Sequence, residues 1–89
     1  MPVIFHNAAA KYLERLNAVD KDRIKVALGE LEKDPSKSDI RPYIGASGIW
    51  RLKARNYRVL YKLEEKNIVV THIEPRGQAY TKKTKTKRG

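Results

Sequence analysis

Basic side chains at alternating positions are the residues of this sequence best suited to chemistry with an anion. Arg51 and Lys53 alternate with apolar residues, so one face of a predicted strand is basic and the other apolar. A two-residue turn at Arg55-Asn56 would place Lys53 directly opposite Arg58, and Arg51 opposite Leu60. Like charges so placed destabilise a sheet by roughly a few tenths of a kcal/mol unless an anion lies between them. The hairpin therefore predicts a phosphate-binding site.

The distribution of charge points to the same half of the chain. Lysine and arginine number 20 against 10 acidic residues, which gives a net charge of +10. Residues 1–39 contain as many acidic as basic side chains, so the excess lies wholly in residues 40–89. Such a surplus is typical of proteins with a polyanionic partner, and its confinement to one half predicts a single binding face.

Length and composition limit the kinds of site that are possible. A chain of 89 residues holds one domain and one core, so a site must lie on its surface. Cysteine is absent, which excludes disulfides and thiolate zinc sites. No apolar stretch approaches the roughly 18 residues of a membrane span, and no signal peptide is visible, so we expect a cytoplasmic protein. His6 and His72 have no partner at metal-ligand spacing, which favours a structural role over a metal site.

Two amphipathic helices are predicted to follow a short first strand at residues 2–6. Apolar residues recur at helical spacing after Asn7, a candidate N-cap, and the pattern ends near residue 17. A second helix with the same spacing is predicted to begin at the cap Asp20 and to end at Asp34, because the residue before Pro35 avoids helical geometry. These helices should form a hairpin.

Strands follow the helices. Residues 35–48 predict a long irregular connection, because proline, serine and glycine are interspersed with scattered apolar residues. Alternation then predicts strands at residues 50–54 and 57–63, and a turn at 64–67 leads into residues 68–73, a β-branched run expected to be a central strand buried on both faces. Pro75 should end this strand. Residues 81–89 contain lysine and threonine but no apolar side chain, so we predict a domain over residues 1–80 and a basic, disordered tail.

The hairpin and the end of the domain together resemble a known family. Residues 51–61 read R-L-x-x-x-x-Y-R-V-x-Y, and residues 76–80 read R-G-Q-A-Y. With the preceding strand and helices, they are similar to the RelE/ParE toxin superfamily, and to its RelE branch in particular, over residues 2–80. The resemblance implies an α+β, RelE-like domain in which a two-helix hairpin packs on a mostly antiparallel four-stranded sheet in the order β-α-α-β-β-β.

The resemblance also implies a function. RelE-like toxins of type II toxin–antitoxin systems are endoribonucleases that cleave messenger RNA in the ribosomal A site, without metal or cofactor, and so inhibit translation. The implied partners are a cognate antitoxin, the ribosome and messenger RNA. Two alternatives remain open: a ParE-like inhibitor of DNA gyrase, and a noncatalytic protein that binds RNA or ribosomes.

RNA cleavage by the 2′-hydroxyl needs a general base, a cationic clamp on the phosphoryl group and a general acid. By position, the resemblance implies a catalytic set of basic side chains and one tyrosine: Arg51, Lys53, Arg58, Arg76 and Tyr80. Further RNA contacts are expected from Arg55, Lys62, Lys82 and Lys83. Many relatives have histidine where this chain has Pro75, so the base is left open between Lys53 and Tyr80, with His72 as a further candidate.

Overall fold

Residues 2–75 are described by the computed structural model, and in them two helices pack on one face of a five-stranded sheet. The elements in chain order are β1 (Val3–Phe5), α1 (Asn7–Arg15), α2 (Ala18–Lys33), a 3₁₀ turn (Pro35–Lys37), β2 (Ile40–Pro42), β3 (Trp50–Ala54), β4 (Tyr57–Glu64) and β5 (Asn67–Pro75). No helix within these residues is long and apolar enough to span a bilayer. The α+β class predicted from the sequence is confirmed.

The starts of both helices differ slightly from the prediction. Helix α1 begins at Asn7 itself, and His6 is its cap residue. Helix α2 is capped by Asn17, whose side-chain oxygen accepts a hydrogen bond from the backbone N–H of Asp20 at 2.8 Å. The predicted cap at Asp20 is therefore wrong, because Asn17 accepts the exposed N–H first and Asp20 lies in the first turn. The predicted end at Asp34 is confirmed as the C-cap.

The sheet has one strand more than predicted. Its order is β1-β5-β4-β3-β2, with β1 parallel to β5 and every other pair antiparallel. The extra strand, β2, lies in the segment predicted as irregular and pairs Ile40 with Leu52. Three residues ending in Pro42 are too short to show alternation, and proline is tolerated here because β2 is an edge strand.

The predicted hairpin register is confirmed. Ala54 pairs with Tyr57, Lys53 with Arg58 and Arg51 with Leu60, which follows from a two-residue turn at Arg55-Asn56. Arg55 adopts the left-handed conformation with φ of 56°, which lets the chain reverse within two residues.

The core lies between the helices and one face of the sheet. Its largest fully buried side chains are Ile24 from α2 and Leu52, Val59, Ile68 and Val70 from the strands. The opposite face, which we call the open face, has no helix packed on it among the described residues. Strand β5 is central, as predicted, but burial on both faces holds only for residues 68–70, and His72 is exposed. The short β1 pairs with these same three residues, 68–70.

Candidate nucleic-acid interface

A β-bulge in β5 decides which side chains reach the open face. Tyr61 pairs with Val70 while Leu60 pairs with His72, so Thr71 is an extra residue between the two pairs. The Thr71 hydroxyl donates a hydrogen bond to the carbonyl oxygen of Leu60 at 3.3 Å. The bulge shifts the alternation by one residue, and His72 therefore faces away from the helices.

Four cationic residues occupy two adjacent rows of the open face. Arg41 of β2 lies directly opposite Arg51 of β3, and Lys53 of β3 lies directly opposite Arg58 of β4. Arg41 and Lys53 are exposed, whereas Arg51 and Arg58 are half-buried. Neighbouring like charges repel, so an anion bound between the rows would relieve the repulsion. Arg41 was not singled out from the sequence, because its strand was not predicted.

Arg58 lies between charges of opposite sign. On the side away from Lys53 it faces Glu74 of β5, and its Nη2 atom is 3.5 Å from the Glu74 carboxylate. The Nε of Arg58 is buried and has no hydrogen-bond partner within the described part of the chain. When the Glu74 carboxylate moves aside, the Arg58 guanidinium can offer two parallel N–H groups to a phosphoryl group.

The remaining basic residues of the predicted site are dispersed. Lys62 lies on the open face beyond the bulge, opposite Val69, and its Nζ pairs with the carboxylate of Glu64 at 3.3 Å. Arg55 lies in the hairpin turn, outside the ladder of paired residues. The structure thus brings together Arg51, Lys53 and Arg58, and it places Lys62 and Arg55 at a distance along the sheet. Arg76, Tyr80, Lys82, Lys83 and the predicted tail lie outside the described residues.

A cleft of about 480 Å³ opens beside the ion pair on the open face. We call it the histidine cleft; it is lined chiefly by His6, Tyr43, Leu60, Thr71, His72 and Glu74. The loop between β2 and β3 contributes one wall, and Leu60, on which no helix of the described residues packs, is only 7% exposed. Sequence reasoning missed the two histidines as a pair, because they are far apart in the chain and no local pattern links them. Within residues 2–75 no three histidine or acidic residues are grouped to hold a metal ion.

Tyr57 and Tyr61 of the sheet lie on the side that faces the helices and not on the open face. The Tyr57 hydroxyl donates a hydrogen bond of 2.7 Å to Asp20 of α2, and this bond, more than burial, raises the pKa of Tyr57 to about 12. Burial raises the pKa of Tyr61, which lies in the core. Burial also raises the pKa of Tyr12, with smaller contributions from the charges of Glu74 and Asp20. Tyr57 and Tyr61 therefore stabilise the packing of the helices on the sheet and face away from the cationic rows.

Comparison with protein families matches residues 3–80 to the ParE toxin of the type II toxin–antitoxin system parDE. The chain belongs to this family. The match covers most of the molecule, including the hairpin with the cationic rows, so the protein is a type II toxin of the RelE/ParE superfamily. Comparison with curated proteins gives no significant match.

Solved structures agree on the fold of this toxin. The RelE–RelB complex of Pyrococcus horikoshii shares 26% identity at a TM-score of 0.71, covering 86% of this chain and 96% of that one. The RelB–RelE complex of Methanococcus jannaschii shares 22% identity at a TM-score of 0.68, and the match covers 89% of this chain and 96% of that one. The isolated Escherichia coli RelE toxin shares 19% identity at a TM-score of 0.69, and the match covers 96% of each chain. The RelE-like fold predicted from the sequence is confirmed.

Proposed function

We propose that this toxin is a ribosome-dependent endoribonuclease that cleaves messenger RNA in the A site and thereby inhibits translation. The observation that supports this most directly is the pairing of Lys53 with Arg58, beside Arg51 and Arg41, on a face of the sheet that no described helix covers. Four cations within two rows match the repeated charge of a nucleic-acid backbone. The similarity to the Pyrococcus horikoshii RelE supports the RelE branch.

In this proposal Arg58 is the clamp on the scissile phosphoryl group. Its guanidinium offers forked donors, and it already holds a carboxylate, which has the planar acceptor geometry that such a fork recognises. Arg51 and Lys53 stabilise the charge that develops on phosphorus, and Arg76 and Tyr80 complete the catalytic set. Either Lys53 or Tyr80 carries a proton in this scheme. No step is assigned to a metal or cofactor.

RNA outside the reacting position is bound by further cations. Arg55 at the hairpin turn and Lys62 beyond the bulge extend the basic face in both directions along the sheet. Lys82 and Lys83 are proposed to add contacts from beyond the domain. Because such contacts act on phosphates, they position the RNA and carry no sequence information.

A cognate antitoxin is the second partner in this proposal, and the ribosome places the site of action in the cytoplasm. Several similar structures are complexes of RelE with RelB, which supports neutralisation by a bound protein. An antitoxin that covers the open face would block the cationic rows from RNA.

Mapping of messenger cleavage by primer extension on programmed ribosomes tests the proposal. We expect the wild type to cut in the A site, and Arg58→Ala to lower the rate by about 10²-fold or more, because a transition-state donor is lost. Tyr80→Phe should also slow cutting, whereas Lys25→Ala, on the exposed side of α2, should cut normally. Absence of an A-site cut by the wild type would refute the proposal, and ribosome binding without cutting would identify a noncatalytic binder.

Gyrase inhibition is the second candidate function, because the matching family is described by the ParE toxin. A supercoiling assay separates the two functions. Inhibition of gyrase by the wild type that persists in Arg58→Ala, with no cut on ribosomes, would favour the ParE-like activity.

A further inference from the structure

The two histidines of this chain line the same cleft on the open face, although 65 residues separate them in sequence. Strand β1 runs parallel to β5 with Phe5 beside Val70, and the backbone N–H of His6 donates to the Val70 carbonyl oxygen at 2.9 Å. His72 follows Val70 after the single bulged residue. Both histidines line the histidine cleft, and both also line the adjoining concavity of about 500 Å³.

Neither imidazole is required for packing. His6 and His72 are both exposed, and within the described chain the His6 side chain makes no capping hydrogen bond to α1. The bulge is what brings His72 here: in an unbroken β5 the alternation that buries Val70 would also turn His72 toward the helices. The fold therefore places two ionisable side chains at one exposed cleft.

The cleft adjoins the proposed phosphate clamp. Glu74 lines it and pairs with Arg58 at 3.5 Å, and His72 lies two residues before Glu74 on the same face. Diagonal neighbours across antiparallel strands lie about 7–8 Å apart, so His72 stands within reach of a phosphoryl group held by Arg58. Among residues 2–75, the other ionisable group that lines the cleft is Tyr43, in the loop between β2 and β3.

We propose that His6 and His72, in place of Lys53 or Tyr80, are the proton-transfer pair of this toxin, an inference that rests on the proposed RNA cleavage. One imidazole, neutral, accepts the proton of the 2′-hydroxyl as the bond between O2′ and phosphorus forms. The other, protonated, donates its proton to O5′ as the bond between phosphorus and O5′ breaks. The products are a 2′,3′-cyclic phosphate and a 5′-hydroxyl, with no net change of protons on the enzyme pair. Histidine suits both roles because it exchanges protons near neutral pH.

The test measures single-turnover cleavage on programmed ribosomes between pH 5 and 9 for the wild type, His6→Gln and His72→Gln. The wild-type rate should follow a bell-shaped pH profile, because one imidazole must be neutral and the other protonated. Each variant should lose one limb of the bell and slow cutting by about 10²- to 10⁴-fold, the usual contribution of general acid–base catalysis. Ribosome affinity should be unchanged, and free imidazole should partly restore cutting by His72→Ala.

Lys25→Gln is the control, since Lys25 is exposed on α2 and lines neither of the two concavities at the histidines. It should retain the wild-type rate and pH profile. Wild-type cutting by either histidine variant, with the bell-shaped profile intact, would overturn the histidine pair and leave the endoribonuclease standing. A wild type that cuts no messenger would instead overturn the proposed function, and the pair with it.

Discussion

Glu74 lies directly opposite Arg58 in the β4–β5 ladder, and its carboxylate is 3.5 Å from the arginine Nη2. Lys53 faces the same arginine from the other side. Glu74 thus offsets part of the repulsion between the two cations, and it occupies a donor that a phosphate would use. Substrate binding and this ion pair are therefore expected to compete.

Replacing Glu74 by glutamine should strengthen RNA binding, because the competing carboxylate charge is removed. The expected gain is up to about 5-fold at low salt, since partly exposed ion pairs are worth roughly 1 kcal/mol or less. Fluorescence anisotropy with a short RNA measures it. Glu14→Gln removes the same charge from an exposed position on α1. An equal gain in that variant would show that net charge, and not release of Arg58, is responsible.

Replacing Lys53 by glutamine should weaken RNA binding while it stabilises the folded protein. Loss of the like-charge pair with Arg58 should raise the free energy of unfolding by roughly a few tenths of a kcal/mol. RNA binding should weaken, and the slope of log affinity against log salt should fall by about 1, because one phosphate contact is lost. Urea denaturation and salt titrations measure the two effects. Lys25→Gln, on α2, should leave the slope unchanged, and an unchanged slope in Lys53→Gln would contradict a phosphate contact.

The hydrogen bond from Tyr57 to Asp20 should make stability sensitive to alkaline pH. The pKa of Tyr57 is raised to about 12 from the ordinary 10.0, so the folded state holds this proton more tightly than the unfolded state. The resulting stabilisation is fully present below pH 10 and is lost as pH rises toward 12. Tyr57→Phe should cost about 1 kcal/mol at pH 7 and should flatten the decline above pH 10. Urea unfolding of both proteins at pH 7, 10 and 11 compares them, and parallel curves would exclude this contribution.

Helix α2 should depend on Ile24 for its attachment to the sheet. Ile24 is fully buried, and Ile24→Ala should lower the free energy of unfolding by about 2–5 kcal/mol, through lost burial and a residual cavity. Val26→Ala is the matched comparison, because Val26 lies on the same helix but is 51% exposed. Its cost should stay near roughly 0.5 kcal/mol. Similar midpoints of thermal unfolding for the two variants would show that α2 is attached differently.

Local patterns determined much of this protein in advance. The register of the β3–β4 hairpin follows from alternation on both sides of a two-residue turn, since a shift of one residue would expose the apolar face. The helices follow from apolar residues at helical spacing, and the end of α2 follows from the geometry before Pro35. For the same reason the grouping of Arg51, Lys53 and Arg58 on one face could be predicted, because all three lie in this hairpin.

Only the tertiary structure decided the features that depend on distant partners. Strand β2 exists because its three residues pair with β3, and nothing within so short a segment indicates a strand. Asn17 and Asp20 are both suitable cap residues by type. Asn17 is the cap because its backbone is extended and its side chain accepts the N–H of Asp20, and the sequence pattern does not show this. The roles of Arg76 and Tyr80 remain predictions, since both lie outside the described residues.

The bulge at Thr71 shows most clearly why contacts with distant residues, and not the local pattern, decided part of this structure. Val70 and Ile73 are both buried against the helices although a regular strand would place them on opposite faces, so burial of both requires an extra residue between the paired positions. That residue turns His72 and Glu74 to the open face, where they join Arg58 and His6. The sequence by itself determined which face of the hairpin is basic. The packing of β5 between β1 and β4 decided that His6, His72 and Glu74 lie beside that face.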